Sequence, residues 1–300
     1  MTVKQSNRNG VEVFTLENNH LAVEIAPWIG GRITSIYNKL LSKEFLWKNK
    51  DLPFKQNQEG DEYDPNFWGG IDELIPNDIP EKIDSVAYPD HGELWTTALQ
   101  STVLNKKVTV SGKLKLSGLY YEKTVYLDEK LPLIHNIYRI KNESGAKRHF
   151  LWKLHAALNI RPGDKIITDA RKARIVDPAY SRFQNIEEFR WPQIEDTDAS
   201  LIPTNDNTMD FFYLYDITEP EMKLEGVDGS LFSYKYDKKI FPYQWYFASY
   251  GGFLNHYTAV LEPCSSMPLS VTEAIRAGQC SVLEPGEEIN TTVHIYAGEK

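Results

Sequence analysis

Residues 11–26 read VEVFTLENNHLAVEIA. Apolar and polar side chains alternate through VEVFTL (11–16) and again through LAVEIA (21–26), with Glu17, Asn18 and Asn19 between them. Alternation with a period of two puts one set of side chains on a core and the other in water, and asparagine suits a tight turn. The stretch predicts two half-buried strands joined as a hairpin. The pattern returns in VTVSGKLKL (108–116) and TTVHIY (291–296). Other segments are apolar on both faces or rich in aromatic residues: LYYEKTVYL (119–127), LIHNIYRIKN (133–142) and FLWKLHAAL (150–158). These read as inner strands covered on both sides. Helical periodicity is nearly absent, the best short candidate being NIEEF (185–189). Many short strands separated by turn residues predict an all-β fold, a sandwich or barrel.

The chain has 300 residues and no internal repeat or Pro/Ser-rich linker, so it is read as a single domain, 1–300. A net charge of −9 with scattered basic residues weighs against nucleic acid as a partner, because phosphate binding needs clustered Lys and Arg. Arg171, Lys172 and Arg174 form the one short basic cluster, better explained as a solvated edge than as an anion site. Two cysteines, Cys264 and Cys280, have no zinc-ligand spacing and read as reduced core thiols. Neither an apolar signal core nor a membrane span is visible, so the expected location is the cytoplasm.

Two long loop-like regions, roughly 48–95 and 176–210, are rich in aromatic and acidic residues, a composition that suits sugars. Four polar residues stand where a strand pattern alone would not put them. His155 lies on the apolar run KLHAALNI (153–160), as a hydrogen-bonded core residue or an acid–base group. His91, in YPDHGELW (88–95), is either a turn histidine or a site residue. Asp210 opens an aromatic strand and could simply cap a turn. Glu262 ends an apolar run in AVLEPCSSMP (259–268) and is followed at once by Pro263. A buried glutamate needs a partner, so Glu262 is either an edge residue in solvent or functional. Neither a GxSxG nucleophile motif, a phosphate-cradling glycine loop nor a common metal spacing is present, and no metal or cofactor is expected.

Taken together, ENNHLAVEIAPWIGGRITSIYNK (17–39), GGIDELIPND (69–78), PDHGELW (89–95), HAALNI (155–160) and AVLEPCSSMP resemble, in order, segments of the aldose 1-epimerase (galactose mutarotase-like) superfamily. That resemblance implies a large antiparallel β-sandwich, the galactose mutarotase-like supersandwich, with a sugar groove across a concave sheet. It implies interconversion of α and β anomers of a free monosaccharide, with Glu262 as base, His155 as proton donor to the ring oxygen and His91 as a second hydrogen-bonding group. Asp210 would hold substrate, with Asp216 or Asp237 as alternatives; Asn77, Arg32 and Trp245 are further candidates, Trp245 as a stacking ring or as core. A homodimer is left open. The sequence also departs from the family: Trp95 stands where its His-Gly segment usually leads to an arginine, and its Asn-Arg pair reads Asn77-Asp78. A lost guanidinium weighs against a phosphorylated hexose, with Arg32, Lys153 or Arg161 left as substitute cations. A non-catalytic sugar-binding protein is the alternative from a different class, and a glycoside hydrolase or lyase a third.

Overall fold

The computed structural model describes residues 2–184 and 187–300. Two large sheets carry most of the chain, and every strand pairing within them is antiparallel. The larger, twelve-stranded sheet runs from Thr2–Arg8 through Val11–Glu17, Leu21–Ala26, Arg32–Asn38, Ile71–Leu74, Lys153–Leu158, Tyr257–Cys264, Tyr243–Tyr250 and Thr208–Tyr215 to Lys172–Ile175 and Phe189–Arg190, with Lys43–Glu44 paired beside Arg32–Asn38. The smaller, eight-stranded sheet has Glu288–Glu299 and Leu133–Asn142 at its centre. The alternation at 11–26 gives the expected hairpin, and the Asn18 side chain closes it by accepting from the His20 and Leu21 backbone N–H groups at 2.8 and 2.6 Å.

The core fills the space between the sheets, with Val23, Ile25, Ile36, Leu154, Leu261 and Phe212 on one side and Val110, Tyr121, Ile134, Ile140 and Val293 on the other. Three expectations change here. Leu119–Leu127 and Leu133–Asn142 are covered on one face only, because the alternate positions carry Glu122, Tyr126, His135 and Arg139, which stay partly in solvent. By contrast, Lys153–Leu158 is buried at every position, as its unbroken run suggests. Part of the NIEEF segment lies outside the described residues, and the α-helix among those described is Val271–Ala277 instead. Its signal is a Ser270–Glu273 capping pair, in which Ser270 Oγ accepts from the Glu273 N–H, with Gly278 at φ 68° closing the other end. Among the described residues, no helix is long and apolar enough to cross a membrane.

The last correction bears on the site. Residues 48–95 are not all loop: Ile71–Leu74 enters the large sheet between Arg32–Asn38 and Lys153–Leu158. Two adjacent acids, Asp72 and Glu73, hide its strand character in the sequence.

Candidate active site

Side chains on successive strand residues point to opposite faces, and cross-strand partners share a face. Asp72 pairs with His155, and Glu262 pairs with Trp245. Between those strands the register runs Lys153↔Cys264 and Ala156↔Leu261, which sets His155 opposite Glu262. Asp72, His155, Glu262 and Trp245 therefore form one row across four neighbouring strands, on the face away from the core. Leu154, Ala156, Ala259 and Leu261 alternate into the core and hold those strands down.

Above this row lies a pocket of about 200 Å³. Its lining joins His155, Lys153, Val260 and Glu262 from the sheet to Tyr63, Phe67, Asp78 and His91 from the first long connection and Tyr180 from the second. Glu262 is buried, at 1% exposure. Its partner is Lys153, whose Nζ lies 2.7 Å from Oε2 and 2.5 Å from Asp78 Oδ1. Lys153 and Glu262 meet as a diagonal pair, two residues out of register, over the Trp245 ring, 4.7 Å below the ammonium. Burial opposes the Lys153 charge, but Asp78 and Glu262 outweigh it and raise its pKa. The Lys153 contact to Glu262 lies outside hydrogen-bond angles, and neither Glu262 oxygen accepts a hydrogen bond from another described residue.

His155 is fixed from behind. Its Nδ1 lies 3.1 Å from Asp72 Oδ1, and a carboxylate can only accept, so Nδ1 carries the proton and Nε2 is left free of described partners. Asp72 is held in turn by Arg32 Nη2 at 2.7 Å and by the Tyr63 hydroxyl at 2.9 Å. Burial pushes the Asp72 carboxyl up, but Arg32 overcomes it, so it stays ionised well below the usual carboxylate range. Phe67 and Tyr63 meet the imidazole edge-on, with centroids at 5.4 and 5.7 Å.

His91 arrives from the loop. Its φ of 55° and the 74° of Gly92 turn the chain where Gly92 bridges Ile75; a Cβ on Gly92 would sit 2.2 Å from the Ile75 carbonyl oxygen. The ring stacks on Tyr63 at 4.1 Å, Nδ1 donates to Asp90 Oδ1 at 2.8 Å, and Nε2 lies 3.8 Å from Asp78. Burial works against its charged form, but Asp78 and the Asp90 hydrogen bond prevail and raise its pKa.

The structure thus brings Glu262, His155 and His91 to one pocket, together with Asp78 and Lys153, which the sequence offered only as departures or substitutes. Other candidates lie elsewhere. Arg32 sits behind Asp72, and Trp245 beneath Lys153. Asn77 spends its side-chain N–H groups on the Ile79 and Pro89 carbonyls, both at 2.7 Å, and shapes the loop. Asp210 faces the opposite way from Phe211 and is sealed in an ion pair with Arg182 at 2.7 Å. Trp95, in place of the family's arginine, packs edge-on against Tyr63 at 5.1 Å, and Arg161 pairs with Asp228 at the surface. Among the described residues, no three His, Cys, Asp or Glu side chains gather as metal ligands.

No protein-family model and no curated protein matches the sequence. Solved structures do share the fold. A galactose mutarotase-like protein from Clostridium acetobutylicum superposes with a TM-score of 0.73 at 14% identity, over 100% of this chain and 99% of that one. Another from Lactobacillus casei gives 0.68 at 15% identity, over 95% and 99%. A galactose mutarotase related enzyme from Lactobacillus acidophilus gives 0.64 at 14%, over 96% and 99%. The fold is therefore the galactose mutarotase-like sandwich.

Proposed function

We propose that this chain, built on the galactose mutarotase-like fold, interconverts the anomers of a free aldose by acid–base ring opening. The observation that carries the reading is the single row in which Glu262, ion-paired to Lys153 but accepting no hydrogen bond from a described residue, faces a histidine whose far nitrogen is tied to Asp72. Glu262 takes the proton from the anomeric hydroxyl as C1–O1 becomes a carbonyl and the C1–O5 bond breaks. Protonated His155 gives the Nε2 proton to O5, with Asp72 holding the imidazolium. After rotation about C1–C2, O5 attacks the other carbonyl face, its proton returns to His155, and Glu262 returns its own to O1. Each positioned proton transfer is worth about 10²–10⁴-fold. His91 supplies a second hydrogen bond near the ring oxygen. A volume of about 200 Å³ suits one sugar ring rather than a polymer chain.

One observation favours a second reading, binding without turnover: the ammonium of Lys153, 2.7 Å from Glu262, occupies one side of the base. Polarimetry with a panel of free aldoses separates the two. Mutarotation faster than in buffer, lost in Glu262→Gln while sugar binding by calorimetry is kept, supports the enzyme. Binding with unaccelerated mutarotation supports the second reading.

A further inference from the structure

We infer that the pocket selects an uncharged sugar with a deoxygenated edge, a 6-deoxyhexose, over fully hydroxylated or phosphorylated hexoses; this rests on the anomer-exchange reading above. Beside the polar row runs a second row on the same face, two residues along each strand and so about 7 Å away. It consists of Ala157, Val260, Phe247 and Phe211, paired in that order, with the Val176 backbone N–H bonded to the Phe211 carbonyl at 2.9 Å. None of these side chains carries a nitrogen or oxygen. Phe253 closes over the end of the row, edge-on to Phe247 at 5.4 Å. Of the charged residues nearby in sequence, Asp210 alternates onto the opposite face and neutralises Arg182 there, while Asp177 lines the pocket beyond the row and accepts from the Ala179 backbone N–H at 2.8 Å.

The pocket is therefore polar on one side and aromatic on the other. A pyranose with C1 and O5 at Glu262 and His155 has two flanking edges. The C2–C4 edge carries hydroxyls at every carbon and matches the side holding Asp78, His91 and Lys153. The C5–C6 edge falls on the other side, over the apolar row at Ala157 and Val260, where a 6-hydroxyl would lose its water and meet no nitrogen or oxygen in that row, whereas a methyl group would lose nothing. Charge points the same way. Asp64, Asp78, Asp177 and Glu262 line the pocket against Lys153, already shared by two of them, and the imidazoles of His91 and His155, each tied to an aspartate of its own, Asp90 and Asp72. A phosphate or uronate would meet like charges.

Matched pairs test this: D-glucose against 6-deoxy-D-glucose, D-galactose against 6-deoxy-D-galactose, and D-glucose 6-phosphate, each measured for anomer exchange by NMR saturation transfer and for affinity by titration. The 6-deoxy member of a pair is expected to be favoured in kcat/KM by about 10–100-fold, the range over which an apolar wall rejects an added hydroxyl. No exchange is expected for the phosphate, and Phe247→Ser should bring the ratio towards one. Equal kcat/KM within each pair, or best turnover of the phosphate, overturns the inference using the wild-type protein alone. Tighter binding of the 6-deoxy sugar with no exchange of any sugar rejects the catalytic reading and keeps the specificity; no exchange and no preference rejects both.

Discussion

The strand Ile71–Leu74 separates two buried lysine–carboxylate pairs that differ in one respect. On the core side, Glu73 receives Lys123 on both oxygens, at 2.9 and 2.8 Å, and the Tyr138 hydroxyl at 2.6 Å, with both charged side chains fully buried. On the pocket side, Lys153 sits between Asp78 and Glu262, and Glu262 accepts no hydrogen bond from a described residue. The first pair is saturated, so it can only hold the sheets together. The second leaves acceptor capacity facing a cavity, which is what a base needs. Position in a strand pattern does not distinguish them; the number of donors around each carboxylate does.

Removing one cation from each side should separate the two pairs most strongly. Lys123→Met strands Glu73 in a sealed core, and a loss of about 3–5 kcal/mol is expected in urea unfolding, with the folded fraction keeping its turnover. Lys153→Met leaves Asp78 and Glu262 beside a pocket that water can enter, so its stability loss should be the smaller of the two while turnover changes. Equal losses would erase the distinction. Next in size is Asp72→Asn, which frees the His155 ring: kcat should fall roughly 10²-fold with little change in KM, and a pure KM effect would place Asp72 outside the proton path. Gly92→Ala forces a Cβ against the Ile75 carbonyl at positive φ, and a loss of about 1–3 kcal/mol is expected by thermal unfolding, together with weaker sugar binding as His91 shifts.

The smallest effect is a pH dependence. Against the opposing effect of burial, Asp78 and the Asp90 hydrogen bond hold the folded pKa of His91 above the ordinary imidazole value of about 6.5. A raised value means that the charged form favours folding; its contribution is complete below about pH 6.5 and lost as pH rises through the folded value. His91→Asn should therefore cost more stability at about pH 5.5 than at about pH 8.5. The reverse order would mean that the imidazole is neutral in its loop.

How much of this was legible follows from what each residue depends on. Hairpins such as 11–26 depend on local alternation, and they are readable. Glu262 and His155 stood out because a charge interrupts an apolar strand, a contrast also visible locally. Asp72 was not readable as a positioning group, since IDEL looks like part of a loop until its neighbours in the sheet are known. Asp210 shows the opposite failure. It suited a substrate-holding role by composition, yet strand parity sends it away from the pocket while Phe211 takes the pocket face. Lys153 appeared only as a substitute cation, because its two carboxylate partners come from segments about 75 and 109 residues away in the chain. Register across strands, not the residue itself, decides each of these.

The proposed reaction requires Glu262 and His155 to act together on one hemiacetal carbon. The most direct measurement is a double-mutant cycle of Glu262→Gln and His155→Asn, read as enzyme-dependent anomer exchange by NMR saturation transfer, with calorimetric sugar binding as a control. Groups that act as a unit give a double variant no slower than the slower single variant, and that is the expected result. Losses that multiply, or exchange that survives in either single variant, would contradict it.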